Sequence, residues 1–405
     1  MVSSFADFRK SGHWPSLLAS FLYFDLSFMV WVLLGSVSVF VSSDLQLTPG
    51  QKGLLVALPI LGGSFFRLIL GVLTDRIGAK RTSVLGMILT LLPLFLLWVS
   101  GRTLPEVYAY GFLLGIAGAS FAAALPLASR WYPPRYQGLA MGIAGAGNSG
   151  TLLATLFAPR LAEHFGDWHA VFGMTMIPMV VVLVTFLLIA KEAPDRPPAK
   201  KWADYFDVLR QRDAWLFCFF YSVTFGGFVG MASFLPIFFS DQYGLGRVAT
   251  GDFVTLCVLA GSFVRPLGGW FADRVGGVRM LQVLYFVITS LFSVVSFLMP
   301  FPFEMAALFL VMAALGLGNG AVFQLVPQRF GKEIGVMTGL VGAAGGLGGF
   351  FLPSLLGALK GATGTFASGY LVIAGVSAAA FLTIWIIGRQ WHGKRVVRQG
   401  AVRHG

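Results

Sequence analysis

Long apolar stretches, separated by short polar and charged segments, fill most of the chain between residues 15 and 388. Each stretch approaches or exceeds the roughly 20 residues that a helix needs to cross the hydrocarbon core of a bilayer. The pattern predicts an all-α integral membrane protein. Its twelve transmembrane helices, span 1 to span 12, are expected near residues 15–41, 52–73, 82–100, 105–128, 137–159, 169–190, 214–239, 250–272, 279–300, 304–327, 334–359 and 366–388.

The polar stretch between spans 6 and 7 is longer and more charged than a tight turn requires. Residues 191–213, KEAPDRPPAKKWADYFDVLRQRD, contain three prolines and many charged side chains, which is typical of a solvated linker. This stretch divides the chain into a six-helix N-terminal half, 1–190, and a six-helix C-terminal half, 214–405.

Composition excludes the soluble proteins that a length of 405 residues otherwise suggests. Hydrophobic residues make up 57% and charged residues 11% of the chain, and the mean hydropathy is +0.79. A net charge of +12 on a soluble domain would favour nucleic-acid binding, but here the cations lie in short loops between apolar stretches. We therefore expect a lipid bilayer as the environment and no nucleic-acid partner.

The lysines and arginines of the loops are distributed unequally between the two sides of the membrane. With the twelve spans above, 22 lie on one side, and the other side has five: Lys52, Arg102, Arg160, Arg247 and Lys360. Because cytoplasmic loops carry the excess of Lys and Arg, both termini and the linker are predicted to be cytoplasmic. The predicted location is the cell (inner or plasma) membrane, which the chain crosses many times.

The two halves share one plan. Four pairs of identical residues lie 198 positions apart: Arg67 with Arg265, Asp75 with Asp273, Tyr23 with Tyr221, and Gly150 with Gly348. Two halves with the same topology predict parallel repeats about an axis along the membrane normal, with a substrate site near the midplane between them. A lone cation at membrane depth costs a few kcal/mol and normally faces a cavity and a partner.

The charged turns after spans 2 and 8 resemble the loop motif of the major facilitator superfamily. They read GVLTDRIGAKR at 71–81 and GGWFADRVGGVR at 268–279. The resemblance implies the fold of that superfamily. It also implies that four charged residues latch helix ends in one conformation, namely Asp75, Arg76, Asp273 and Arg274.

A narrower resemblance is to the nitrate/nitrite porter family within that superfamily. It rests on GIAGAGNSGTLLATLFAP (142–159) in span 5 and GLVGAAGGLGGFFLPSLLG (339–357) in span 11, which are similar to the paired nitrate signatures of that family. FLYFDLSFMVWVLLG (21–35) and GLGNGAVFQLVP (316–327) support it. Span 11 lacks the counterpart of Asn148. The signature glycines are Gly145, Gly147, Gly150, Gly345, Gly346 and Gly348.

Arginine chemistry fits such a substrate. Nitrate is a small planar anion with three equivalent oxygens, and a guanidinium offers a planar fork of donors that can bind two oxygens at once. Arg67 and Arg265 are therefore candidate substrate-binding residues, and structural pairing with helix-end carbonyls is the alternative. Asn148, among small neighbours, is predicted to offer an amide to the anion, although the glycines also serve close helix packing.

Aromatic residues complete the site that the family resemblance implies. Phe121 is expected to flank the plane of the anion, and Tyr221 to donate its hydroxyl to it. Phe225 and Phe228 are candidate gate residues, with packing as the alternative for either ring. A ring face repels anions, so the arginines must supply the attraction.

Asp25 is the only acidic residue deep in a predicted span. It either carries a coupled proton or pairs with an arginine or a helix end. The five histidines lie in tails or loops, so neither a metal nor a buried proton relay through histidine is expected: His13, His164, His169, His392 and His404. An enzyme would need a nucleophile, a base or metal ligands in the membrane, and we expect neither an enzyme nor a cofactor.

The leading hypothesis is a secondary transporter that moves nitrate, nitrite or both by alternating access and functions as a monomer. Symport of nitrate with protons and antiport of nitrate against nitrite both remain open. Two other functions are alternatives: a facilitator for another small organic anion, and a membrane sensor that binds the anion without transport. The small residues of spans 5 and 11 indicate a narrow site, which disfavours bulky anions.

Overall fold

A computed structural model describes residues 5–193, 207–330 and 334–402 of the chain. Within these ranges the protein is built from helices and contains no β-strand. The predicted linker, 191–213, lies partly outside the described residues, at 194–206. The all-helical membrane fold expected from the apolar stretches is confirmed. Helices suit this environment because they pair all backbone hydrogen-bonding groups within one segment, where lipid offers no partner.

Eleven helices in the described part of the chain are long and apolar enough to cross a membrane. They are span 1 (Trp14–Asp44), span 2 (Pro49–Ile77), span 3 (Ala79–Val99), span 4 (Leu104–Ser129), span 6 (His169–Ile189), span 7 (Arg212–Tyr243), span 8 (Arg247–Val275), span 9 (Gly277–Val295), span 10 (Phe301–Val326), span 11 (Val336–Thr363) and span 12 (Ala367–Trp391). A short helix, Phe5–Lys10, precedes them, and the helices of spans 10, 11 and 12 continue over Phe301–Arg329, Ile334–Thr363 and Ala367–Val402.

Span 5 occupies its predicted place but is broken into pieces, each too short to count as a spanning helix. An α-helix over Pro134–Gly145 is followed by a 3₁₀ turn over Ala146–Ser149 and a second α-helix over Gly150–Phe165. The glycine-rich sequence explains the break, because glycine weakens a regular helix and permits a tighter local turn.

Three other spans are irregular next to predicted site residues. Span 4 consists of helices Leu104–Gly118 and Phe121–Ser129, and span 7 changes to a π-turn over Ser222–Gly226 between helices Arg212–Tyr221 and Gly227–Tyr243. Span 8 is divided into Arg247–Phe263 and Arg265–Val275, since Pro266 lacks the amide hydrogen that a continuous helix needs. Such breaks are tolerated at membrane depth where the backbone is buried in protein or lines a cavity.

The two halves meet along span 2 and span 11, where glycines allow the backbones to approach closely. A side chain at Gly53 would overlap the carbonyl of Pro353. A side chain at Gly357 would lie 2.9 Å from the α-carbon of Gly53. Glycine is therefore required on both sides of this contact.

Polar contacts also join the halves at the ends of the spans opposite the linker. Lys52 Nζ lies 2.7 Å from Asp241 Oδ2, and Arg160 Nη2 lies 2.6 Å from Asp252 Oδ1. The two ion pairs link spans 2 and 7, and spans 5 and 8. Together with the close packing of spans 2 and 11, they hold the halves together at this end.

A cavity of about 1630 Å³ lies between the halves and reaches the linker-side ends of the spans. Its inner wall includes Arg67, Phe121, Arg265 and Phe323, and its lining extends to Asp75 and Asp273 in the two charged turns. The cavity therefore connects the in-membrane arginines with the side of the protein that carries the linker.

Candidate functional site

Arg67 lies on span 2 at the inner wall of the cavity and is 3% exposed. Its Nη2 donates a hydrogen bond of 2.8 Å to the carbonyl of Gly118, and its Nη1 donates one of 2.6 Å to the carbonyl of Gly342. Gly118 ends the first helix of span 4, where the last carbonyls have no partner within the helix. Gly342 belongs to span 11, so this arginine connects the two halves.

Three aromatic rings surround the Arg67 guanidinium. Its Cζ lies 5.3 Å from the ring centroid of Phe121 and 5.8 Å from those of Trp31 and Phe225. These rings come from both halves, and a cation within about 6 Å of a ring face is attracted by it. The Nε atom of Arg67 is buried and has no hydrogen-bond partner among the described residues. The guanidinium therefore keeps unused donor capacity.

Arg265 reaches the same group of rings from the other half. Its Nη2 lies 3.4 Å from the hydroxyl oxygen of Tyr221, and its Cζ lies 6.0 Å from the ring centroid of Phe323. The Tyr221 ring stacks on Phe225 with centroids 5.0 Å apart and meets the Phe323 ring edge to face at 4.8 Å. Both in-membrane arginines thus contact one aromatic cluster at the inner end of the cavity.

The two predicted gate rings have different surroundings. Phe225 belongs to the cluster and also stacks on Trp31, with centroids 6.4 Å apart and planes inclined by 21°. Phe228 is buried, and a side chain at Gly261 of span 8 would overlap its ring. Phe225 therefore belongs to the aromatic cluster around the arginines, whereas Phe228 packs between spans 7 and 8.

Asn148 lies in the 3₁₀ turn of span 5 and is 3% exposed. Its side-chain oxygen has no hydrogen-bond partner within the described part of the chain, and a buried unpaired carbonyl is costly. The cavity surface beside it is formed by Gly145, Ala146 and Ser149. The amide is thus buried in the cavity wall beside an open surface.

Asp25 of span 1 faces this turn of span 5. Its Oδ1 accepts a hydrogen bond of 2.6 Å from the hydroxyl of Ser149, the residue that precedes the helix Gly150–Phe165. A helix N-terminus attracts a carboxylate. Pairing with an arginine and pairing with a helix end were the two structural alternatives for Asp25, and the contact with Ser149 corresponds to the helix end.

Glu304 is a buried carboxyl group that was not predicted from the sequence. It lies in the first turn of span 10 and is 0% exposed. Its position near the end of the apolar stretch made it indistinguishable from a solvated loop residue. Any test of proton coupling must therefore include Glu304 beside Asp25.

The charged residues of the two motif turns make contacts within their own halves. Asp75 Oδ1 lies 3.3 Å from Arg130 Nη2 at the end of span 4, and Asp273 Oδ1 accepts a hydrogen bond of 2.8 Å from Gln324 of span 10. Arg274 Cζ lies 3.5 Å from the ring centroid of Trp270, and Arg76 lines the cavity. The contacts agree with a cavity that reaches this end of the molecule.

Most signature glycines lie where a side chain would strike a neighbouring span. A side chain at Gly150 would overlap the backbone carbonyl of Asp25, and one at Gly147 would lie 2.7 Å from the Asp25 nitrogen. In span 11, a side chain at Gly345 would meet Tyr221, one at Gly346 would meet Ser64, and one at Gly348 would meet Ser222. Gly145 differs, because a side chain there would have no neighbour within 4 Å.

Several contacts of this site could not be foreseen from the sequence. Trp31, Ser149 and the carbonyls of Gly118 and Gly342 were not singled out. Trp31 stood within a quoted stretch of span 1, but an aromatic residue in an apolar helix gives no signal of its own. Carbonyl acceptors depend on where the helices break, which composition does not reveal.

Comparisons with known proteins agree with this architecture. Residues 19–353 match the family model of the Major Facilitator Superfamily. A solved structure described as a bacterial homolog of the human lysosomal transporter Spinster, in an inward-facing and occupied conformation, aligns with a TM-score of 0.66. The alignment covers 91% of this chain and 94% of that one at 17% identity, so it supports the fold alone.

Curated relatives are similar over most of their length. The "Nitrite extrusion protein" of Bacillus subtilis is 34% identical over 89% of this chain and 91% of its own. "Probable nitrate/nitrite transporter NarK2" of Mycobacterium tuberculosis is 34% identical, over 82% of this chain and 86% of its own. "Probable nitrate transporter NarT" of Staphylococcus carnosus is 34% identical, over 90% and 93%. The chain is thus a multi-pass membrane transporter, not an enzyme, and belongs to the nitrate/nitrite porter family of the Major Facilitator Superfamily.

Proposed function

We propose that this protein transports nitrate, nitrite or both by alternating access, with the planar anion bound between Arg67 and Arg265. The observation that carries the proposal is the convergence of these two in-membrane arginines, one from each half, on a single aromatic cluster at the inner end of the cavity. The names of the relatives, which refer to nitrate and nitrite, support the same substrate.

The chemistry of the two guanidinium groups suits a small oxyanion. Arg67 has a buried Nε without a partner, and the 3.4 Å contact between Arg265 and Tyr221 is long for a hydrogen bond. An entering anion can therefore gain donors from both arginines while few strong bonds are lost. The rings around Arg67, which is 3% exposed, exclude water from its guanidinium, which strengthens the attraction between this cation and an anion.

The shape of the cavity supports access from the linker side. The cavity extends from the arginines to the charged turns, while Lys52–Asp241 and Arg160–Asp252 tie the opposite ends of the halves together. With both termini and the linker in the cytoplasm, as the Lys and Arg distribution predicts, this arrangement is the inward-open state in a bacterial plasma membrane. Opening to the outside requires these two ion pairs to separate.

Uptake measurements in proteoliposomes test the substrate. Labelled nitrate uptake should be inhibited by unlabelled nitrite and chlorate, which are small oxyanions, and left unchanged by carboxylates of organic acids. Inhibition by organic anions instead would favour the organic-anion facilitator. Specific binding of nitrate without any flux would favour the sensor.

The charges of the two arginines, Asp25 and the bound anion constrain the mode of transport. The two arginines and an ionised Asp25 together carry a charge of +1, which a bound nitrate reduces to zero. Exchange of nitrate for nitrite leaves this charge unchanged and needs no proton. Net nitrate uptake against a negative-inside potential costs about 2.3 kcal/mol per charge at 100 mV, so it needs cotransported cations.

Replacing Asp25 with asparagine is expected to abolish acid-driven nitrate accumulation and to spare nitrate/nitrite exchange. The amide cannot carry a proton, but it can still accept the hydrogen bond that Ser149 donates. Proteoliposomes with an imposed pH gradient measure accumulation, and nitrite-loaded ones measure exchange. Glu304→Gln is the comparison variant, because Glu304 is the fully buried carboxyl identified above, and this variant should keep acid-driven accumulation. Full acid-driven accumulation in Asp25→Asn would exclude Asp25 from coupling.

A further inference from the structure

Trp31 of span 1 is buried at the contact between spans 1 and 2. Its side chain is 1% exposed, and its indole Nε1 donates a hydrogen bond of 2.7 Å to the backbone carbonyl of Pro59. Pro59 lies in the same helix as Arg67, eight residues earlier. The hydrogen bond therefore fixes the edge of the indole ring to the helix that carries Arg67.

The face of the ring is held between two glycines. A side chain at Gly63, one turn before Arg67, would lie 2.8 Å from the Cε2, Cζ2 and Nε1 atoms of Trp31. A side chain at Gly118 of span 4 would overlap the same ring. The indole is thus packed between the helix of Arg67 and the last residue of the first helix of span 4, with no room for even a methyl group.

This packing bears directly on the geometry of Arg67. The carbonyl of Gly118, against which the indole packs, is one of the two acceptors of the Arg67 guanidinium. The Trp31 ring centroid also lies 5.8 Å from Arg67 Cζ. Displacement of the ring would change the distance between the guanidinium and its acceptor, and would remove a ring that faces the cation.

We propose that Trp31 is a positioning residue for anion recognition, which holds the Arg67 guanidinium in the orientation that receives the anion. Trp31 acts through Arg67 and the Gly118 carbonyl, and need not touch the anion itself. The inference rests on the proposed function in one respect, namely that Arg67 binds the anion. It adds a residue from span 1 to a site otherwise assigned to spans 2, 4, 5, 7 and 8.

Trp31→Phe is the direct test. Phenylalanine lacks the N–H donor and is smaller, so the ring is no longer fixed to Pro59, and the Arg67 guanidinium gains freedom. We expect the KM for nitrate to rise about tenfold, as for a loss of one well-placed hydrogen bond, with kcat changed less than about twofold. The nitrate concentration that produces a given rise in thermal stability should increase by the same factor.

Trp168→Phe is the matched control. Trp168 is also buried, and its Nε1 donates a hydrogen bond of 3.1 Å to Asp44. The substitution therefore removes an indole N–H donor, as in Trp31→Phe, but at a ring that contacts Asp44 and not Arg67. It should leave the KM unchanged. If Trp31→Phe does not fold, Gly63→Ala displaces the indole by its methyl group and should raise the KM in the same way.

The outcomes separate this inference from the proposed function. Suppose that Trp31→Phe and Trp168→Phe have equal KM values for nitrate while Arg67→Lys has a lowered kcat/KM. This result would overturn the role of Trp31 and leave the arginine site intact. A fall in kcat at constant KM would also overturn it, because Trp31 would then act in the conformational change through its contact with Phe225. A normal KM in Arg67→Lys would contradict the arginine site itself.

Discussion

Arg67→Lys and Arg265→Lys are each expected to lower kcat/KM for nitrate by about 100-fold while the protein remains inserted in the membrane. Lysine keeps the positive charge but has no planar fork, so it cannot bind two oxygens of a planar anion in a fixed orientation. The transport defect should therefore appear for both variants, since each arginine supplies one side of the proposed site.

The two variants should differ in stability. Arg67 donates to the carbonyls of Gly118 and Gly342 and so joins the two halves, whereas Arg265 contacts Tyr221 at 3.4 Å. Lysine at position 67 cannot reproduce both bonds in the same geometry, and a lost bond to a buried carbonyl costs about 1–3 kcal/mol. We expect a lower thermal stability for Arg67→Lys and little change for Arg265→Lys.

Nitrate uptake in proteoliposomes and thermal unfolding of the purified variants are the two measurements. Arg102→Lys is the control, because Arg102 is exposed in the loop before span 4. It should match the wild-type protein in both. Wild-type uptake by either in-membrane lysine variant would refute the assignment of that arginine to substrate binding.

Gly150→Ala is the second change with a large expected effect. The added methyl group would occupy the position of the Asp25 backbone carbonyl, and neither span can yield without a shift of its backbone. Overpacking of this kind costs about 1–3 kcal/mol or more, and here it would also displace Asp25 from Ser149. We expect strongly reduced amounts of folded protein and no measurable transport.

Gly142→Ala is the matched control in the same span. A side chain at Gly142 has no neighbour within 4 Å, so the same methyl group should be tolerated there. Yield, thermal unfolding and nitrate uptake would be compared between the two variants. If Gly150→Ala were as stable and active as Gly142→Ala, close packing of spans 1 and 5 would not be the reason for glycine at position 150.

The sequence was sufficient to predict the membrane fold and the general location of the arginines. Long apolar stretches allow few structures in lipid, and the 198-residue repeat predicted that Arg67 and Arg265 occupy corresponding places in the two halves. The structure brings both to the same aromatic cluster. The ends of the spans were also close to their predicted positions, because the charged loops limit them.

The sequence was insufficient where function depends on irregular backbone. The break before Phe121, the π-turn after Tyr221 and the 3₁₀ turn around Asn148 have no periodic signal, yet the break in span 4 frees the carbonyl that binds Arg67. The partner of Asp25 was equally inaccessible, because it depends on which side of span 5 faces span 1. Tertiary packing decides both.

Counterflow in proteoliposomes tests most directly the claim that the protein carries nitrate through a site formed by both arginines. Vesicles loaded with unlabelled nitrate and diluted into a trace of labelled nitrate should accumulate the label transiently when they contain the wild-type protein. Vesicles with Arg265→Lys, a variant expected to stay folded, should accumulate no more label than protein-free vesicles. Absence of counterflow with folded wild-type protein, or equal counterflow with the Arg265→Lys variant, would contradict the claim.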